Sequence, residues 1–441
     1  MTLFSPSPFR SRCTSNGSSF VGGKISRFRP TWSVSWWFLL AAGSLFAADP
    51  QPAAVFESNL QFRAGIDSNP LAMNSAAAAT AGSEDIFIYS TGLGASLTLP
   101  TSVPASRTLK LNYAGDVFRF DGLSTENFST HRLGFNGQII AGSWKLTGEG
   151  STLFVDGSRD TLPSVAAVNA NAITLWRERR RQWQHRLKVQ AQANRGNSLI
   201  RVTGTLLAYD YQTHAVSGKV PFADRSDVMG AIDLGWKQSA KSLWFSGVRV
   251  GHQNQAIVPL PNCEFDYSND YQRLVVGWEG KPSANTTVAI SGGPDFRHYS
   301  GAIDPRVFLG GRDRSSFWFE GNFSAKPCAR LTITGKAGRM AWLSSTGKSA
   351  YMDSSAETAA VWTMTPVWSL RVSAKVHRCD YFPAIRDDWE SLLGVGVMLK
   401  TTDRTLLSLE FLHHRGWDNL PTSTGREFLR ETVNLGATIK L

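Results

Sequence analysis

From residue 56 onward, apolar and polar side chains alternate along one segment after another. In Phe56 to Ile66 the apolar set Phe56, Leu60, Phe62, Ala64 and Ile66 is interleaved with Glu57, Asn59, Gln61, Arg63 and Gly65. Successive side chains of a β-strand point to opposite faces, so this period of two predicts a strand with one oily and one wet face. The signature returns at Leu109, Leu111 and Tyr113 against Lys110, Asn112 and Asp116. It returns again at Leu331, Ile333 and Ala337 against Arg330, Thr332 and Lys336, and at Trp368, Leu370, Val372 and Ala374 against Ser369, Arg371, Ser373 and Lys375. Sustained helical periodicity is hard to find, and beyond Ala47 no apolar run reaches the roughly 18 residues a membrane-crossing helix needs. The chain is predicted to be all-β, with a sheet whose two faces meet different solvents.

The connections between these segments alternate in length. Short turns are predicted near Ala141 to Ser143, Asn194 to Asn197, Gln238 to Lys241, Lys281 to Asn285, Lys326 to Cys328, Thr365 to Pro366 and Thr402 to Arg404. Between them lie longer polar stretches: Asp67 to Glu84, Asp156 to Asn169, Gln212 to Arg225, Gln253 to Asp266, Ser300 to Arg312 and Arg415 to Gly425. Short turns at one end and long loops at the other describe an antiparallel transmembrane β-barrel. Ile173 to Asn194 reads either as two strands around a turn at Arg177 to Arg181 or as a single strand. Only the single strand keeps the length alternation in phase, and it gives an even count of about 18 strands, between about 16 and 20. Trp144, Trp236, Trp278, Trp362 and Trp368 fall close to the short turns, as an aromatic girdle at one membrane surface would. In the alternative, a soluble sandwich, these tryptophans would be core residues; that many strands would need two domains, and no linker is present.

Charge and cysteine narrow the setting. The first 47 residues contain Arg10, Arg12, Lys24, Arg27 and Arg29, no Asp or Glu, and then the apolar run from Trp36 to Leu40 that continues to Ala47. This order predicts a secretory signal over 1–47, cleaved after Ala47 or Ala48, and a barrel over 48–441; a retained anchor is the alternative. Five of the basic residues behind the net charge of +11 thus belong to the export segment. The only compact basic run, Arg177 to Arg186, carries no nucleic-acid motif, so no nucleic-acid partner is expected. Cys263, Cys328 and Cys379, an odd number at wide spacing, make no disulfide framework and no zinc motif. No metal, cofactor or lipid anchor is expected.

The two ends of the expected barrel carry family-like motifs. The chain closes with Val433, Leu435, Ala437, Ile439 and Leu441 on one face and Thr432, Asn434, Gly436, Thr438 and Lys440 on the other. Asn434, Gly436, Ile439 and Leu441 resemble the C-terminal signal read by the outer-membrane barrel-assembly machinery, with Leu441 where Phe or Trp is usual. Ala64-Gly65-Ile66-Asp67-Ser68-Asn69-Pro70 resembles the opening strand of uncharacterised porin-like families of Gram-negative outer-membrane β-barrels. The resemblance implies a barrel in the outer membrane, in contact with its lipid and lipopolysaccharide. It names no substrate.

A barrel of 16 to 18 strands is wide enough to enclose water. If the polar set faces inward, the lumen carries Arg63, Lys110, Arg132, Arg186, Lys188, Arg201, Lys237, Arg273, Arg330, Lys336, Arg371, Lys375, Lys400 and Arg430. Against them stand Glu57, Asp116, Glu149, Asp233, Glu279, Glu320 and Glu410. Basic linings favour anions, so the expectation is passive diffusion of small solutes with mild anion preference. An outer-membrane hydrolase is the enzymatic alternative, with His131, His252, His298, His377, His413 and His414 near strand ends and Asp295 and Asp380 as candidate carboxylates. A structural or adhesion barrel is a third reading, in which Arg177 to Arg186 either binds lipopolysaccharide phosphates or is a solvated strand extension. Gln253 to Asp266 and Ser300 to Arg312 are long enough to fold into a pore. The sequence leaves the oligomeric state open.

Overall fold

The computed structural model describes residues 54–70, 85–100, 107–157, 179–212, 223–256, 258–260, 263–300, 312–344, 350–382, 386–419 and 427–441. The expected signal at 1–47 lies outside them. The first half of the chain forms β1 (Val55–Asp67), β2 (Ile86–Pro100), β3 (Arg107–Phe120), β4 (Phe128–Ala141), β5 (Trp144–Asp156), β6 (Gln182–Arg195), β7 (Ser198–Tyr211), β8 (Arg225–Ser239) and β9 (Ser242–Gln255). A short ribbon, β10 (Val258–Leu260) with β11 (Cys263–Phe265), forms a sheet of its own. There follow β12 (Asn269–Ser283), β13 (Thr286–Tyr299), β14 (Asp313–Cys328), β15 (Leu331–Leu343), β16 (Ala350–Thr363), β17 (Trp368–Phe382), β18 (Arg386–Lys400), β19 (Thr405–Asp418) and β20 (Phe428–Lys440). The only helical turn among the described residues is the 3-10 segment Ser124–Glu126.

Apart from the ribbon, every strand pairs antiparallel with its neighbours in chain order, and β20 pairs with β1. The sheet is therefore a closed barrel of 18 strands, the number expected from turn parity. Residues 182–195 form one strand, as that argument required. The short turns also fall where predicted. Gly142-Ser143 and Gly196-Asn197 join their strands in two residues, with each glycine at a φ of 58°, the left-handed geometry that matches the twist of a hairpin.

Alternation along the strands decides what faces out. In β12, Tyr271, Arg273 and Val275 are 2%, 5% and 2% exposed, whereas Leu274 and Val276 between them are 52% and 62% exposed. Leu274 lies opposite Val248, and Val248 opposite Ile232, so the outward apolar residues form a continuous band across strands. Leu60 likewise sits between Leu93 and Ile439 across the closure. Polar and charged groups are buried inside and apolar groups lie open outside, the reverse of a water-soluble protein. Trp144, Trp236, Trp244, Trp278, Trp362 and Trp368 all point outward at the short-turn ends, and Trp244 lies directly between Trp236 and Trp278.

The wall departs from uniformity in one place. Pairing between β14 and β15 stops at Phe319 and Arg339, although β14 runs on to Asp313 beside β13 and β15 runs on to Leu343 beside β16. Above that point, the long-loop ends of β15 to β17 leave the wall.

The band makes a direct prediction. Val276→Arg places a charge at mid-strand on the outward face and should cost about 2–4 kcal/mol. Val276→Leu should change stability by less than about 0.5 kcal/mol. Equilibrium unfolding from lipid vesicles compares the two, and equal effects would contradict a lipid-facing Val276.

Candidate solute pathway

Four inward arginines on β7 to β13 are paired with three carboxylates. Arg201 lies 3.3 Å from Asp233 and 2.6 Å from Glu279, and Arg249 reaches the same Asp233 at 2.5 Å. Toward the long-loop end, Arg273 and Arg297 share the fully buried Asp295 at 3.2 and 3.0 Å. Arg297 also donates to Gln253 Oε1 and Asn269 Oδ1, and the Tyr271 hydroxyl donates to Asp227. Charges removed from water are tolerable when paired with an opposite charge. These four arginines are so paired, although Arg201 Nε and Nη2 and Asp295 Oδ1 are buried without a hydrogen-bond partner among the described residues.

The departing ends of β15 to β17 dock on this wall. The backbone oxygens of Ala341, Leu343 and Ser344 accept hydrogen bonds from the side chains of Gln253, Arg225 and Gln255. Those donors stand on β8 and β9, five and four strands from β15 around the barrel. An apolar layer of Tyr267, Tyr299, Leu343 and Ala350, with Phe382 against it, fills the space between leaf and wall. Arg225 lies between the rings of Tyr209 and Trp342, at 4.6 and 5.3 Å. The leaf thus crosses part of the lumen. Of the two loops expected to fold inward, residues 301–311 lie outside the described residues, and the other contributes Gln253 and Gln255 to the contact with the leaf.

A second inward knot occupies the mouth near β1 to β3. Glu126, fully buried, binds Arg179 at 3.3 Å and Arg180 at 2.8 Å, and Arg179 also donates to the Pro70 carbonyl. Burial and the nearby Arg430 push the Arg179 pKa below its usual value, opposed by Glu126 and Asp67. Arg430 in turn grips Asp67 at 2.6 Å. Within the basic run, Arg179 and Arg180 are therefore neither a lipopolysaccharide patch nor a solvated strand extension, being committed to the buried Glu126, whereas Arg181 makes a partly exposed pair with Asp156. Arg177 lies outside the described residues.

The rest of the wall is different. By register, Arg63, Lys110, Arg132, Arg186, Arg371 and Lys375 face inward and make no ion pair among the described residues. Lys188 is 3.6 Å from Glu149 and Lys336 is 3.1 Å from Glu357. Lys237 faces inward near the short-turn end, and Lys400 is tied to Asp403 in a turn, whose carboxyl it holds below the usual range. Arg330 is in the β14–β15 turn rather than on a strand. Glu57, Asp116, Asp227, Glu320 and Glu410 are inward carboxylates without an ion pair among the described residues, fewer than the unpaired inward arginines and lysines, so the uncompensated balance is basic.

The histidines divide by face. His252, His298 and His413 point outward to Asp270, Asp313 and Glu431, and His131 to the Tyr113 hydroxyl. His377 and His414 point inward on either side of Glu390. Asp295 serves arginines rather than a histidine. Among the described residues no three ligating side chains converge as a metal would require. Inward residues that the sequence reading passed over are Arg225, Arg249, Arg297 and Trp342; alternation alone would have shown the first three.

A closed antiparallel barrel with an outward apolar band, a tryptophan girdle, short turns at one end and long loops at the other is a transmembrane β-barrel of the outer-membrane type. No family model matches the chain, and no curated protein matches it. Among solved structures it is similar to Pseudomonas aeruginosa OpdO, at 9% identity and a TM-score of 0.42 over 88% of this chain and 97% of that one. It is also similar to P. aeruginosa OccK2 (OpdF) in complex with glucuronate, at 10% identity and 0.43 over 88% and 98%. The siderophore receptor PirA of the same organism gives 8% and 0.41 over 89% and 81%. What this barrel does has to be read from its own wall.

Two outcomes follow. Glu126→Gln leaves two guanidinium groups buried without their carboxylate and should cost about 3–5 kcal/mol in denaturant unfolding. A Leu343→Cys thiol, placed in a background with the native cysteines changed to Ser, should be protected from maleimide; Arg225→Ala with Gln253→Ala should speed its labelling at least about tenfold. Equal labelling in both backgrounds would show that the leaf is not held by these side chains.

Proposed function

We infer that the protein is an outer-membrane channel through which small solutes diffuse passively, with a mild preference for anions. The observation that carries the preference is the unpaired basic surface on one part of the inner wall, opposite a part where charges cancel. Fixed positive charge along a water-filled path raises local anion concentration, and a low-dielectric wall strengthens that effect. Export through a signal at 1–47 and insertion by the assembly machinery through Asn434, Gly436, Ile439 and Leu441 belong to the same reading. In support, β20 carries the first three of these residues and makes the closing pair with β1.

A catalytic reading has one observation behind it: Cys379 Sγ lies 3.5 Å and Asp353 Oδ1 3.1 Å from the same nitrogen, Nε2, of His377. A general base needs one nitrogen for the nucleophile and the other for an orienting carboxylate. Here Nδ1 is 3.9 Å from Glu390, too far for a direct hydrogen bond, so the constellation does not favour catalysis over transport.

Planar-bilayer recordings in a KCl gradient test the reading. The expected reversal potential gives an anion-to-cation permeability ratio above one, and Arg63→Gln with Arg132→Gln and Arg371→Gln should bring it to one or below. Cation preference in the unmodified protein would overturn the preference, and absence of conductance would overturn the channel.

A further inference from the structure

The inner wall from β17 through β20 to β3 borders a half-open cavity of about 520 Å³. Gly396 and Gly436 form part of its floor. A Cβ built at Gly396 would meet nothing closer than the Leu409 carbonyl at 3.5 Å, so the backbone there has room for a side chain. Its absence keeps the cavity open. Arg371 stands on one flank, opposite Gly396, and Arg63 on the other, opposite Gly436. Glu410 and Asn434 lie between them, facing each other across β19 and β20.

On other parts of the inner wall opposite charges close on one another, as in Arg201 with Glu279, Arg249 with Asp233 and Lys336 with Glu357. In this cavity they do not. Neither Arg371 nor Glu410 makes an ion pair among the described residues, and Arg63 donates to the neutral Gln61 at 2.5 Å. Gly396 on β18 stands between Arg371 on β17 and Glu410 on β19, which puts two strand spacings, about 10 Å, between their backbones. Ile88, Phe118, Met398 and Leu412 give the same cavity an apolar side.

Cations and an anion held apart in one groove suit a solute that carries both charges. A plain anion would meet Glu410, and a plain cation would meet two guanidinium groups; a zwitterion satisfies each with its opposite. We propose that this groove binds small zwitterions with an apolar body, of which an α-amino acid is the simplest. The carboxylate rests on Arg371 or Arg63, the ammonium on Glu410, and the apolar part against Leu412 beside Glu410 on β19. The proposal rests on the channel reading for how the solute arrives, and it narrows that reading from ion preference to a solute class.

Three probes of one skeleton separate the contributions: L-leucine, 4-methylpentanoate without the ammonium, and 3-methylbutylamine without the carboxylate. Saturation-transfer NMR against the detergent-solubilised full-length barrel reads binding whether or not the barrel conducts, and block of single-channel KCl current reads it in the pore. L-leucine is expected to bind at least about tenfold more tightly than either single-charge probe, the effect of one charge-assisted contact. Glu410→Gln should reduce L-leucine to the level of 4-methylpentanoate, Arg371→Gln with Arg63→Gln should remove its advantage over the amine, and Gly396→Leu should fill the groove against all three. Binding of L-leucine no tighter than both single-charge probes, or unchanged by Glu410→Gln, overturns the proposal. Conductance without L-leucine binding defeats the groove and leaves the channel, whereas L-leucine binding without conductance does the reverse.

Discussion

Every backbone N–H and C=O that enters hydrocarbon must find a partner, and a β-sheet can meet that demand only by closing on itself. In this protein the closing contact is β20 against β1, from Asn59 with Lys440 to Asp67 with Thr432. Closure fixes an inside and an outside, and strand alternation then assigns each side chain to one of them. Leu274 and Val276 go to lipid while Arg273 and Val275, alternating with them, go inward, with no choice left to the individual residue. The buried charge of the barrel follows from the same demand.

The leaf formed by β15 to β17 shows how the demand is met where the wall is abandoned. Past Arg339, β15 gives up its partner strand, and the carbonyls of Ala341 and Leu343 turn to Gln253 and Arg225. Side chains of another wall stand in for the missing strand, and the apolar layer of Tyr299, Leu343 and Ala350 excludes water from the contact. The opposite side of the same mouth is crowded differently, by Glu126 with Arg179 and Arg180. Narrowing therefore comes from strand ends on one side and a buried ion cluster on the other.

Inside, the electrostatics divide by strand. Around β7 to β13 arginines and carboxylates sit on adjacent strands within reach and neutralise each other, leaving a rigid, desolvated lattice. Around β17 to β4 glycines and longer spacings keep Arg371, Glu410 and Arg63 apart, so their charges remain available to solutes. The first region supports the leaf, and the second carries the chemistry on which both functional readings depend.

Much of this was legible in the residues. The period of two at Phe56 to Ile66, the glycine turns at Gly142 and Gly196 and the tryptophans beside the short turns are local signals, set by strand geometry and membrane depth, and they led to 18 strands with the correct faces. The run at Arg177 to Arg186 was misread because its partner, Glu126, stands more than 50 residues earlier and meets it only across the mouth. The leaf was invisible because β15 alternates like any other strand. By itself the sequence determined the all-β class and the alternation of the strand faces, since each depends on neighbours one or two residues away. Only the tertiary structure decided which arginines are neutralised and which stay free, and which strand ends enter the lumen. Those outcomes depend on residues far apart in the chain that meet only once the cylinder has closed.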